Sequence, residues 1–255
     1  MTASPEAVAL SVSMAAAAGL VGCFAVMRRM TLASDAISHV ALPGIGVAIA
    51  FHVHPVLGGV AMLFLGTLLV WGLEHKTRMS TETVIGVVFS TALALGALLA
   101  SGEELIDALL GSPGQLGGWE VALGLLGAAA VIAFVVLQRH RLVLALVSAD
   151  MARTAGIDVA RLDLLYLLAF ALTVGLGLRY LGVLLMGSLI IIPAATAKYL
   201  ARRLPEMLGI AVGLAVASTV LGDALAARLH RPTGPVIITV AAAFFFVSLL
   251  RRREP

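Results

Sequence analysis

The chain has a single cysteine, Cys23, set inside a long apolar stretch, so neither a disulfide framework nor a cysteine-built zinc site is available. Charge is scarce: Asp, Glu, Lys and Arg make up 12% of the residues and aromatics only 5%. Soluble domains carry about 25% charged residues, so this poverty argues against a protein surrounded by water. No Gly-x-x-x-x-Gly-Lys-Ser/Thr run occurs, which excludes a P-loop on this chain. His-Glu-x-x-His, Gly-x-Ser-x-Gly and Gly-x-Gly-x-x-Gly are missing as well. The sequence thus offers no enzyme motif, no nucleic-acid partner and no sign of a permanently bound cofactor.

What remains is grease: 61% of residues are apolar and the mean hydropathy is +1.08. Runs of about twenty apolar residues are long enough to cross the hydrocarbon of a bilayer. Nine candidate spans lie near 6–27, 33–52, 55–73, 82–100, 119–137, 162–178, 181–200, 205–224 and 234–250. The expected fold is therefore all-α, a polytopic membrane bundle of about eight to nine helices, in one domain over 1–255. The first run carries Glu6 rather than a basic leader and reads as a retained helix. The second run is the weakest, because Asp35, His39, Pro43, Gly44 and Gly46 all fall within it.

Basic residues orient the bundle. With the N-terminus outside and the C-terminus cytoplasmic, 14 of the 17 Lys and Arg fall on or beside cytoplasmic connections. Only Arg179, Arg228 and Arg231 fall on the other side. The positive-inside rule favours this orientation over its inverse. The outer connection 101–118 holds Glu103, Glu104 and Asp107 and would present an acidic lip to cations.

Asp35 and His39 stand four residues apart, which on a helix puts a carboxylate and an imidazole on one face, one turn apart. An aspartate at mid-bilayer costs about 2.5–3.5 kcal/mol even on the lenient insertion scale, so such a pair marks a functional site. Carboxylate oxygen plus imidazole nitrogen suits a divalent transition metal, and a structural hydrogen bond between the two is the alternative. Pro43 is expected to kink the helix by denying a donor to the His39 carbonyl. Ser34 and Ser38 offer secondary oxygens. His52 and His54, in Phe51-His-Val-His-Pro55, alternate at the outer end of the same span and are candidates for first contact with a metal.

A cytoplasmic segment near 142–161 interrupts the membrane pattern. A turn near Ser148 to Asp150, a short helix, and Gly156 past its end form a small surface helix suited to docking on a partner, with an interfacial filler helix as the alternative. Pro193, midway along a late span, should free the Leu189 carbonyl.

Four elements together resemble one family. Arg28-Arg-Met-Thr-Leu-Ala-Ser-Asp-Ala-Ile-Ser-His-Val-Ala-Leu-Pro-Gly44 closely resembles the signature of permease subunits in zinc, manganese and iron ABC importers. Asp150-Met-Ala-Arg-Thr-Ala-Gly156 is similar to the family's cytoplasmic Asp-x-x-x-Ala-x-x-x-Gly segment, with Ala152 one place early. Gly187-Ser-Leu-Ile-Ile-Ile-Pro-Ala-Ala-Thr-Ala197 and the Pro232-Thr-Gly-Pro235 turn are similar too, and the likeness runs from about residue 18 to 250.

The resemblance implies a type II-like permease of the bacterial inner membrane, working as a homodimer. It further implies two cytoplasmic ATP-binding subunits and a periplasmic metal-binding protein. By the same resemblance, Asp35 and His39 coordinate the travelling metal. Asp150, Met151, Ala152, Arg153, Ala155 and Gly156 form the coupling helix that meets the ATPase. Zinc, manganese and iron are all compatible cargoes, and His52 and His54 tilt the reading towards zinc. The rival readings are a proton-driven secondary metal transporter, an ABC permease for cobalamin or siderophores, and an intramembrane hydrolase. The last lacks a zinc-protease motif. A bulky organic ligand would not need the Asp–His pair.

Overall fold

The computed structural model describes residues 5–30, 36–37, 39–77, 79–99, 117–180 and 183–250. Among them every regular element is a helix. In chain order they are α1 (Pro5–Met27), α2 (Ala41–Ala50), α3 (Pro55–Thr77), α4 (Thr81–Leu99), α5 (Gly118–Val147), α6 (Ala149–Thr154), α7 (Val159–Tyr180), α8 (Val183–Leu200), α9 (Leu204–Leu229) and α10 (Thr233–Leu249). Helices dominate because, without water in the bilayer, each backbone N–H and C=O must be paired inside its own segment. Six of them are long and apolar enough to cross a membrane, and α2, α8 and α10 are shorter apolar helices. The chain is a multi-pass membrane protein.

α1 is the axis of the bundle. It is apolar on every side, the mark of a helix surrounded by protein or lipid rather than one with a wet face. From Met14 to Val26 it is buried almost throughout, packed by α5, α7, α8 and α9. Lipid tails are as apolar as leucine, so helices associate here through close packing rather than flight from water. Small residues provide that closeness: a β-carbon at Gly22 would collide with the Ile190 carbonyl of α8, and one at Gly19 would lie 2.9 Å from the Ala211 carbonyl oxygen of α9. Phe24, Tyr166, Met186 and Ile190 fill the remaining space as the largest buried side chains around this axis.

Contacts between helix ends fix the up–down order. The close of α1 meets the start of α7 through Phe24 and Tyr166, edge to face with ring centroids 6.5 Å apart. Cys23, near the same end, points its thiol at the Met207 carbonyl in the first turn of α9, 3.7 Å away. The Trp71 indole N–H, near the end of α3, donates to the Ala160 carbonyl at the start of α7 (3.1 Å). Residues 28–30, 80–82, 145–146 and 163 enclose one cavity of about 440 Å³. The connections rich in Lys and Arg therefore gather at one end of the bundle.

One expectation needs revision. α5 does not stop near 137 but runs on to Val147, 30 residues in all and about 45 Å at 1.5 Å per residue. Gln138, Arg139, His140 and Arg141 end the apolar run yet are good or tolerable helix formers, and Leu142 beyond them is fully buried. Helical backbone at 36–37 and 39 gives way to a turn at Val40 before α2 begins, within one turn of Pro43, which is the third residue of α2.

Candidate functional site

Asp35, Ser34 and Ser38 lie outside the described residues, as do Glu103, Glu104 and Asp107 of the predicted acidic lip. His39 is described, and its depth is informative. Its ring lies 5.8 Å, centroid to centroid, from Phe89, the ninth of the 19 residues of α4. The adjacent Val40 side chain abuts Gly66, the middle residue of α3. His39 therefore sits halfway along the two helices that flank it.

From there α2 climbs to one end of the bundle. Leu42 and Pro43 lie against Gly96 near the close of α4, and Gly44 meets Gly58 near the start of α3. The second contact is backbone to backbone: a β-carbon on either glycine would collide with the carbonyl oxygen of the other. Ten residues make α2 about 15 Å long, half the thickness of the hydrocarbon. The helix thus joins mid-depth to the surface opposite the basic end, and His39 stands just before its inner terminus. Half-helices that begin at the bilayer midplane are the usual carriers of transport sites.

His52 and His54 are both exposed beyond the outer terminus of α2. His52 also has a backbone role. Its φ of 56° is left-handed, its N–H bonds to the Ile49 carbonyl (3.0 Å), and the Val53 N–H bonds to that of Ala48 (2.8 Å). These two bonds close the helix in a Schellman turn, a position usually given to glycine, with histidine among the residues better able to adopt it. Among the described residues no three His, Cys, Asp or Glu side chains cluster as a ready-made metal cage.

At the basic end, α6 matches the short surface helix expected around 148–156. Ser148 ends α5 and caps α6 at once, its hydroxyl accepting the Met151 N–H (3.2 Å). Asp150 pairs with Arg153 at 2.8 Å on the outside of the turn. Gly156 has φ +77°, and the bonds from Ile157 N–H to the Ala152 carbonyl and from Gly156 N–H to that of Arg153 form another Schellman closure. Ala152 is buried beneath, Ala155 caps the helix, and Met151 stands 59% exposed. A bare methionine on a stiffly capped turn is a good adaptable contact for another protein.

The sequence reading missed one feature here. The Arg28 guanidinium at the close of α1 lies 2.7 Å from the Asp163 carboxylate in α7 and 4.5 Å above the Tyr166 ring. In sequence both charges look like ordinary loop-edge residues. A signal existed, since ionisable groups at the rim of an apolar span tend to be paired.

Comparison with known proteins identifies the family. Residues 3–252 match the ABC 3 transport family. The chain belongs to that family. Its relatives include the high-affinity zinc uptake system membrane protein ZnuB of Haemophilus influenzae, 29% identical over 239 residues and covering 91% of each chain. The manganese transport system membrane protein MntC of Listeria monocytogenes is 27% identical over 249 residues, 96% of this chain and 89% of that one. Among solved structures, PsaBC from Streptococcus pneumoniae in complex with Fab superposes with a TM-score of 0.81 at 25% identity, over 96% of this chain and 90% of that one. The family match covers α1 to α10.

Proposed function

We propose that this chain is the permease subunit of an ABC importer that moves a divalent transition metal from the exterior into the cytoplasm, with zinc favoured over manganese and iron. Family membership supports the transporter class, and relatives that carry zinc and manganese support the cargo. The observation that carries the reading is His39 at mid-depth, ahead of a half-length helix. Two copies of the chain form the pathway, with the N-terminus outside. Two ATP-binding subunits dock on α6 through Asp150, Met151, Ala152, Arg153, Ala155 and Gly156. A soluble metal-binding protein delivers cargo at the opposite end.

In this mechanism the ion first meets His52 and His54 at the outer surface. It then exchanges part of its water for Asp35 and His39. One carboxylate and one imidazole per copy would give a two-oxygen, two-nitrogen set on a two-fold axis, a set that zinc and manganese both accept. A partial ligand set suits transport, because binding has to be strong enough to admit the ion and weak enough to release it. ATP-driven closure of the partner subunits moves α6 and opens the site inward.

The test is uptake of radioactive zinc and manganese by cells expressing the chain with its partners, with ATP supplied and withheld. The reading requires ATP-dependent uptake that disappears in Asp35→Ala and His39→Ala while the variants still reach the membrane. Normal uptake by both variants would overturn it.

A further inference from the structure

We infer that the Arg28–Asp163 ion pair, backed by Tyr166, is the link that carries motion of α6 across α7 to the end of α1. The inference rests on the transport reading above and names one contact in its drive.

On the α6 side there is little slack. Four residues, 155–158, separate α6 from α7, and they are bonded into both helices. Gly156 and Ile157 bond back to α6, while the Asp158 carboxylate accepts the Arg161 N–H (3.0 Å) and its carbonyl accepts that of Leu162 (3.0 Å). Asp163 and Tyr166 are in the first two turns of α7, so a displacement of α6 reaches them as a rigid-body shift.

On the other side, Arg28 closes α1 at a tight left-handed turn. Arg28 N–H bonds to the Phe24 carbonyl (2.8 Å), and Arg29 takes a left-handed φ of 60°. The Met30 N–H bonds back to Ala25 (2.9 Å).

The contact is built to hold. Arg28 is 13% exposed and Asp163 30%, which shields the charges from water and salt and strengthens their attraction. The guanidinium also rests on the Tyr166 ring, and the phenol donates to the Val21 carbonyl of α1 (3.1 Å). One ring thus fastens α7 to α1 while supporting the ion pair. An adjoining cavity of about 440 Å³ is lined by Arg28, Arg29, Ser80, Thr81, Glu82 and Asp163 among others.

The test compares wild type, Asp163→Asn, Arg28→Gln, the conservative Asp163→Glu, and the exchanged pair R28D/D163R, each purified with its ATPase and reconstituted in vesicles. Metal uptake and ATP hydrolysis are read from the same preparation. A transmission contact predicts that D163N and R28Q lose about tenfold in uptake while ATP hydrolysis per complex stays at the wild-type rate. D163E and the exchanged pair should recover part of the uptake. A merely structural contact instead lowers the amount of assembled complex, with uptake and hydrolysis falling together, and that result overturns the inference. Unchanged uptake in D163N and R28Q overturns it as well. A wild-type chain that binds no ATPase and moves no metal would sink the functional reading itself, a separate outcome visible before any variant is compared.

Discussion

Gly44 and Gly58 touch backbone to backbone, so the half-length α2 is pressed against α3 with no side chain between them. Placing a methyl group at either position forces the helices apart. Gly44→Ala and Gly58→Ala should each cost about 1–3 kcal/mol and reduce transport, as over-packing does in other tight contacts. Gly72→Ala, on the same α3 but with open space around it, should change neither. Thermal unfolding in detergent, followed by uptake in vesicles, separates the two cases.

His39→Gln keeps the size and a polar end near that of histidine but removes the imidazole. It should abolish metal uptake at a stability cost of about 0.5–3 kcal/mol, the usual range for a single substitution. Phe89→Leu, beside the ring, should lower uptake less. Uptake assays and melting curves on the same membranes check both.

His52 and His54 call for variants that respect the turn. Asparagine adopts left-handed φ readily, so His52→Asn preserves the closure of α2 where alanine would strain it. The double variant H52N/H54N should raise the half-saturating metal concentration and leave the maximal rate unchanged, as loss of an early capture step does. A concentration series of labelled zinc gives both numbers. An unaltered half-saturation would reduce His52 to a turn residue.

Met151→Glu puts a charge on the exposed crown of α6 without touching the buried Ala152 beneath. The chain should fold normally and lose its ATPase in a pull-down. Gly156→Val should strain the left-handed closure of α6 by about 1–2 kcal/mol and lower ATP-driven uptake. Melting temperature tells the variants apart, since only Gly156→Val should shift it.

Much of this architecture was legible in the residues. Each of the nine apolar runs holds a helix, though six are long enough to cross and the run at 33–52 gives only the ten-residue α2, and Ser148 and Gly156 bracketed α6 as their capping chemistry predicts. Three things were not. The end of α5 was missed because the charges at 138–141 mark the edge of the apolar run without breaking the helix. The left-handed turns at Arg29, His52 and His230 were missed because non-glycine residues fill positions where glycine is the usual signal. The Arg28–Asp163 contact joins residues 135 positions apart, and no local spacing announces it. At the site itself, the Asp35–His39 spacing pointed to a polar pair, whereas the mid-depth of His39 needed α3 and α4 to act as rulers.

The position of His39 has an electrical consequence. A bare ion crossing hydrocarbon meets its steepest penalty at the centre, where water is farthest on both sides. On the proposed transport reading, ligands there would split one forbidding climb into two shorter legs of about 15 Å each, the outer one matching the length of α2. Guarding against leakage is then a matter of keeping only one of those legs wet at a time.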